Sequence, residues 1–323
     1  MTRAGAFYSE DLKKVKTYAK LVEEVIYLRY NNLSEYFRKK YGRRLDKICI
    51  DGGFTCPNRD GKCGVGGCIF CGERGSGEWL IKSETIRETA RRVISRGKGD
   101  EKYVAYFQNF TNTYAPIEVL KERYDASLIS ERIVALAIGT RPDCIDEDVC
   151  RLLAEYNKRL DVWVELGLQT SNDEVARLIN RGYETAVFDR AMELLTKYGI
   201  PVVAHIIVGL PTEGQKDVLK TVDYLKRFPL FGIKIHSIYV TEGTALARMY
   251  RENLYTPPTL SEFADTLVEI IARLPREWII HRLTGDAPRD LLIAPEWNAD
   301  KNAIYDAIRV RLKAQNIRQG DMA

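Results

Sequence analysis

Apolar positions along the chain fall into two alternating rhythms. Short, near-continuous apolar runs occur at 47–53 (KICIDGG), 103–109 (YVAYFQN), 132–139 (RIVALAIG), 161–168 (DVWVELGL), 201–210 (PVVAHIIVGL) and 232–240 (GIKIHSIYV). Longer stretches at 83–97, 146–159 and 186–199 carry apolar residues every three or four positions. The first kind reads as strands buried on both faces, the second as amphipathic helices. Asp146 is placed to N-cap its helix and Gly199 to C-cap another. Six β-then-α units in a row predict a parallel sheet with helices packed outside it. A closed eight-unit barrel takes about 250 residues, whereas residues 46–240 hold six convincing units. The expectation is therefore an α/β fold, an open (β/α)6 partial TIM barrel.

On either side the rhythm changes. Residues 1–45 read as an N-terminal helical segment, with Leu12, Val15, Tyr18, Leu21 and Val25 along one face. Residues 241–323 read as a C-terminal α/β extension, helical near 259–274 and 299–315. Within it the run EWIIHRL (277–283) can add a strand.

Composition fits a soluble globular protein: 45% of the 323 residues are hydrophobic and 29% charged. No apolar run approaches the roughly 20 residues that cross a bilayer, and the first twenty residues lack the apolar core of a signal peptide. A cytoplasmic protein with no membrane partner is expected. The net charge of +4 is modest, but Arg38, Lys39, Lys40, Arg43, Arg44 and Lys47 form a local basic run. It reads as a solvated helix face or as a landing strip for nucleic-acid phosphates.

Four of the seven cysteines change the picture more. Cys56, Cys63, Cys68 and Cys71 fall within 16 residues, on the glycine-rich loop FTCPNRDGKCGVGGCIFCGERGSGEW (54–79). In a reducing compartment such crowding points to metal rather than disulfides. Soft thiolates suit zinc or an iron–sulfur cluster. A four-cysteine zinc site usually draws on two close pairs, and only Cys68 and Cys71 make one here. The loop directly follows the first strand of a β/α series, where chemistry gathers at strand carboxyl ends. That position favours a cluster with three protein ligands and an open iron over a fully ligated electron store. Cys49, Cys144 and Cys150 read as structural. The strand ends also carry Gln108, Asn109, Thr140, Arg141, Gln169, Thr170 and Glu213. On the sixth run, His236 and Tyr239 are three residues apart, so strand alternation would let only one face the mouth. His281, Arg282 and Asp286 in the extension are candidates for substrate contacts.

Several separated phrases now agree in order: GGFTCPNRDG (52–61), GGCIFC (66–71), YFQNFTNTYAP (106–116), IGTRPDC (138–144), ELGLQTSNDE (165–174) and HRLTGDAPRDLLIAPEW (281–297). Together they resemble the radical SAM superfamily. More narrowly, they resemble a bacterial and archaeal family related to the radical SAM part of the Elongator catalytic subunit. The resemblance covers roughly residues 30–310. It implies a [4Fe–4S] cluster on a C-x11-C-x2-C set, which falls on Cys56, Cys68 and Cys71 and leaves Cys63 as a loop thiol. It further implies S-adenosyl-L-methionine (SAM) at the open iron, reductively cleaved with an electron from a reductant such as flavodoxin or ferredoxin.

By the same resemblance, Phe70 would meet the adenine, and Gln108 and Asn109 the amino group. Relatives carry an acid at the position of Gly139, so Thr140 stands in near the ribose. Glu165, Gln169 and Arg181 match a set that contacts the ribose and the methionine carboxylate, and Gly209 would allow close approach to the adenine. An RNA is the substrate class that the Elongator resemblance suggests. The competing readings are a zinc-stabilised nucleic-acid-binding protein and a ferredoxin-like carrier with Cys63 as fourth ligand.

Overall fold

The computed structural model describes residues 29–75, 77, 80 and 84–323. The amphipathic positions Leu12–Val25 lie outside that range. A short helix α1 (Leu33–Tyr41) opens the described chain, capped by the Asn32 side chain at one end and a left-handed Gly42 at the other. The six expected units follow. Their strands are β1 (Leu45–Ile50), β2 (Lys102–Phe107), β3 (Ile133–Thr140), β4 (Asp161–Gln169), β5 (Val202–Val208) and β6 (Gly232–Ser237). The helices between are α2 (Ile86–Arg96), α3 (Ile117–Ser127), α4 (Glu147–Asn157), α5 (Asp173–Leu178), α6 (Thr185–Lys197) and α7 (Gln215–Leu225). Asp146 accepts from Val149 N as the N-cap of α4, and Gly199 follows α6 in the left-handed region.

The sixth run stops at Ser237, and Val240–Thr241 forms a separate short strand, β7. The extension contributes α8 (Ala245–Arg251), α9 (Leu260–Arg273), β8 (Ile279–Arg282), β9 (Leu292–Ala294) and α10 (Lys301–Ala314). The main sheet is thus seven-stranded, parallel and curled into a half-barrel, in the order β1-β2-β3-β4-β5-β6-β8. β7 and β9 pair antiparallel beside it. The run read as EWIIHRL adds the seventh strand. It covers the edge of β6, which would otherwise expose a row of unpaired amides and carbonyls. Its own free edge is partly met by Asn31 O, which accepts from Ile280 N at 2.8 Å.

Alternation along each strand divides the molecule into two cores. Outward residues such as Phe107, Ile138, Val164, Leu166 and Ile206 meet the surrounding helices, and α9 and α10 join the same core through Leu267, Ile271 and Ile308. The extension therefore shares the barrel's core. Inward residues Val104, Ala135, Ala137, Trp163, Val203 and Ile279 form a second cluster, closed from below by Leu33 and Phe37 of α1. Phe37 packs against Trp163 with ring centroids 6.3 Å apart, and Tyr36 meets Phe231 edge-on at 5.2 Å. α1 plugs the amino-terminal end of the half-barrel, which leaves the carboxyl end as the open one.

The basic run lies at the plugged end. Lys40 pairs with Asp161, the first residue of β4, and Arg43 with Asp100, just before β2, each at 2.6 Å. Lys47 turns inward, its Nζ 5.0 Å from the Tyr106 ring centroid. These residues flank strand starts, so the run offers no path to the mouth. Phe37 is 3% exposed, and truncating such a residue costs about 3–5 kcal/mol. Phe37→Ala should lose that much stability in urea denaturation. A loss below about 1 kcal/mol, the range of most surface changes, would show that α1 is not a plug.

Candidate functional site

At the carboxyl ends of the strands a cavity of about 240 Å³ reaches down into the half-barrel. One wall is the cysteine loop, which presents Cys56, Cys68, Phe70 and Cys71. The opposite wall is made by strand ends: Gln108, Thr140, Arg141 and Gln169. Tyr106, Glu165, His205 and Lys234 form the floor, and His236, Tyr239 and Arg282 close the far side. Both His236 and Tyr239 line the cavity, contrary to strict alternation, because β6 has already ended at Ser237.

The loop has almost no regular structure, so side chains hold it. Asn58 is fully buried. Its Nδ2 donates to Asn180 O at 2.6 Å and lies 3.8 Å from Cys68 Sγ. Asn180 returns a bond to Gly67 O, and Ile69 N donates to Ile179 O. Arg59 ties the far side by donating to the carbonyls of Cys71, Gly72 and Glu73. Gly67 sits at φ +80°, and a Cβ there would come within 2.9 Å of Arg59. The hydrogen bond with the neighbouring Cys71, and then burial, push the Cys68 thiol well above its ordinary pKa. Cys63 lies outside the cavity lining, exposed, with its sulfur 3.5 Å from Arg141 Nη2 and 3.7 Å from Asp143 Oδ2. Among the described residues, no three His, Cys, Asp or Glu side chains gather as a single-ion site.

The strand-end residues have distinct surroundings. Gln169 ends β4 at φ +64°, and its Oε1 accepts from Tyr183 OH at 3.1 Å. Thr140 shares a hydroxyl bond with Thr113 at 2.6 Å. Arg181 is completely buried. Its guanidinium donates to the carbonyls of Leu168, Thr170 and Tyr183 and to Asp173 Oδ1. Arg181 therefore locks the turn after β4, and its three nitrogens are engaged by the protein. Asn109 and Gly209 lie outside the cavity lining. Asn109 is buried with no side-chain partner among the described residues. A Cβ on Gly209 would meet Ile238 and Pro258 at 2.7 Å, so its glycine serves close packing.

The floor is a charged layer. Glu165, 1% exposed, accepts from Tyr106 OH (2.7 Å), Lys234 Nζ (2.7 Å) and His205 Nε2 (3.0 Å). Lys234 Nζ also donates to Tyr106 OH at 2.7 Å. His281 Nδ1 stands 3.8 Å from the other Glu165 oxygen. Burial alone would raise the Glu165 pKa, but Lys234 and the histidines hold it well below the carboxylate range. Burial lowers Lys234 to about 8, with Glu165 opposing, and takes His205 and His281 to about 4. At neutral pH the pair is ionised and both rings are neutral.

A model of the radical SAM superfamily matches residues 56–225, and a Radical_SAM C-terminal domain matches residues 231–314. The first match starts at Cys56 and spans more than half of the chain. The chain belongs to the radical SAM superfamily. It is 38% identical over 299 residues to the uncharacterised protein YtqA of Bacillus subtilis (strain 168), covering 90% of this chain and 92% of that one. It is 31% identical over 189 residues to the tRNA uridine(34) acetyltransferase of Dehalococcoides mccartyi (strain CBDB1), covering 57% of this chain and 39% of that one. Among solved structures, the fold is similar to the archaeal Methanocaldococcus infernus Elp3 at a TM-score of 0.64. That likeness runs at 18% identity and covers 85% of this chain and 64% of the other.

Radical SAM membership makes this chain an enzyme and agrees with the curled parallel sheet. Sequence reasoning passed over Tyr106, Tyr183, Asn58 and Lys234. Lys234 had a readable signal: a lysine inside an apolar strand, matched by Glu165 inside another. Asn58 had none, because its partners lie 122 residues away at Asn180.

Two measurements follow from this geometry. Removing one member of a buried ion pair costs about 3–5 kcal/mol. Lys234→Met should therefore destabilise strongly, and adding Glu165→Gln should recover much of the loss in a urea-denaturation cycle. The carboxyl of Glu213, bonded to Thr170, is raised by burial to about 7. A folded pKa above the unfolded value adds stability that is complete below about pH 4.5 and lost as pH rises through 7. Glu213→Gln should match the parent at pH 4 and exceed it at pH 8. Equal midpoints at both pH values would contradict this.

Proposed function

We propose that this protein binds a [4Fe–4S] cluster through Cys56, Cys68 and Cys71 and reductively cleaves SAM in the cavity beside it, to modify a substrate lodged deeper in the half-barrel. One observation carries the reading: those three cysteines share a wall of the cavity, whereas Cys63 lies outside it. When bound, the cluster supplies the electron for SAM cleavage. The chain's own residues do the rest. Phe70 offers an apolar face for the adenine. Gln108 supplies a side-chain carbonyl for an ammonium. Thr140 and Gln169 present polar groups at the ribose. Arg181 acts at second hand, fixing the carbonyls of Leu168 and Thr170 and so the turn that carries Gln169. Glu165 supports the floor through Lys234 and His205 rather than offering a free carboxylate. Arg59 and Arg141 stand beside the thiols and offset negative charge there. We assign Asn109 and Gly209 no direct contact.

All seven cysteines are free thiols, which suits a reducing, cytoplasmic setting. Among the described residues no helix is long and apolar enough to cross a membrane. Electron delivery is assigned to a flavodoxin or ferredoxin. An RNA substrate draws support from the likeness to a tRNA acetyltransferase and none from the basic run at the plugged end. The ferredoxin-like reading needs Cys63 as a ligand, and its sulfur faces Arg141 and Asp143.

The test is anaerobic purification with iron analysis, EPR of the reduced protein with and without SAM, and chromatography for 5′-deoxyadenosine. Cys56→Ala, Cys68→Ala and Cys71→Ala should each lose the cluster and the product, while Cys63→Ala keeps both. A protein that stays colourless after careful reconstitution, or an EPR signal indifferent to SAM, would overturn the reading.

A further inference from the structure

The inner end of the cavity and the shell behind it carry more cations than carboxylates. Lys234 and Arg282 line it. Lys47 stands behind Tyr106, and Lys301 shares Asp286 with Arg282. Two carboxylates answer these four cations: Glu165, already bonded to four donors (Tyr106, Lys234, His205 and the Trp163 indole), and Asp286. Lys234 gives protons to Tyr106 and Glu165, and an ammonium has a third to offer. His205 and His236 face the same space, ring centroids 5.3 Å apart. The Nε2 of His236 is buried with no partner among the described residues. Two paired cations with donors to spare, a local excess of positive charge behind them and an unanswered ring nitrogen beside a void form a receptor for an oxyanion.

We propose that this inner end recognises the substrate by an oxyanion, a carboxylate or a phosphate, held by Lys234, Arg282 and His236. The proposal rests on the reading above, in which SAM occupies the cysteine end and leaves the inner end to the substrate. Arg282 comes from β8, so the extension supplies part of the specificity. Its guanidinium is oriented by Asp286, which Lys301 holds in turn.

The chain has three histidines. His205 and His236 line this site, and His281 lies beside Glu165 under its floor. Histidine-selective 15N NMR on tag-free, cluster-loaded protein therefore reads the site directly. Sodium phosphate and, separately, sodium acetate are titrated at constant ionic strength against a chloride control, with and without saturating SAM. The expected result is a saturable shift of the His236 and His205 signals that persists with SAM bound. Arg282→Gln should weaken the binding at least about tenfold, as loss of a charge-assisted bond predicts. His236→Gln, read through His205, serves if the arginine variant does not fold. A response to phosphate alone identifies a phosphate ester, to acetate alone a carboxylate, and to both an oxyanion in general. No saturable shift with either anion overturns the proposal. So does a shift that SAM abolishes, since the site would then belong to the methionine carboxylate. The titration without SAM can also be run on protein that carries no cluster. A colourless protein would therefore overturn the radical SAM chemistry while the titration still judged the oxyanion site.

Discussion

A carboxylate sealed inside a half-barrel must find its counter-charge and its donors there, because water cannot supply them. Glu165 on β4 meets this demand from the neighbouring strands. Tyr106 comes from β2, His205 from β5 and Lys234 from β6, and His281 approaches from β8. The contacts are spaced around the curl of the sheet, so the sheet must curl to make them. They also separate two regimes inside the barrel. Below lies an apolar plug of Phe37, Trp163 and Val203, and above lies a polar cavity. The floor is thus a structural device and the boundary of the site at once.

The cysteine loop answers a different constraint. It carries little hydrogen-bonded regular structure, yet it must present three thiols to one space. Buried Asn58, returned by Asn180, and the Arg59 fork to three carbonyls hold it. The partner segment 179–181 is itself fixed by Arg181, whose guanidinium reaches back to the end of β4. Loop, turn and strand end are therefore one connected polar network, seated on an apolar cluster that Ile69 and Phe70 join. Such networks are sensitive to the loss of any member.

Much of the fold was legible because strand and helix periodicity are local properties. The six β/α units, the Asp146 cap and the strand in 277–283 all appear where the pattern put them. The crowding of four cysteines on one loop was legible in the sequence, and the choice of Cys56, Cys68 and Cys71 among them came from the family resemblance. Gln108, Thr140 and Gln169, legible by their place after strand runs, line the cavity. The functions of the polar residues were less so. Arg181 and Glu165, singled out for their places near the end of one strand, both line the cavity, and only the tertiary structure shows how many of their hydrogen bonds go to the protein. The basic run, which could be read as a solvated helix face or a nucleic-acid track, lies at the plugged end, with Lys40 and Arg43 in ion pairs there.

The sequence alone determined the order of elements, the parallel sheet and the crowding of four cysteines on one loop, since each follows from neighbours along the chain. Only tertiary structure decided that β8 completes the sheet and that α1 closes one end. It also decided that His205, His236, Lys234 and Arg282 converge at the inner end of one cavity, with His281 beneath its floor. Those residues come from three strands spread over nearly 80 positions, and no local pattern encodes their meeting. The curl of the sheet brings them together around the charge of Glu165.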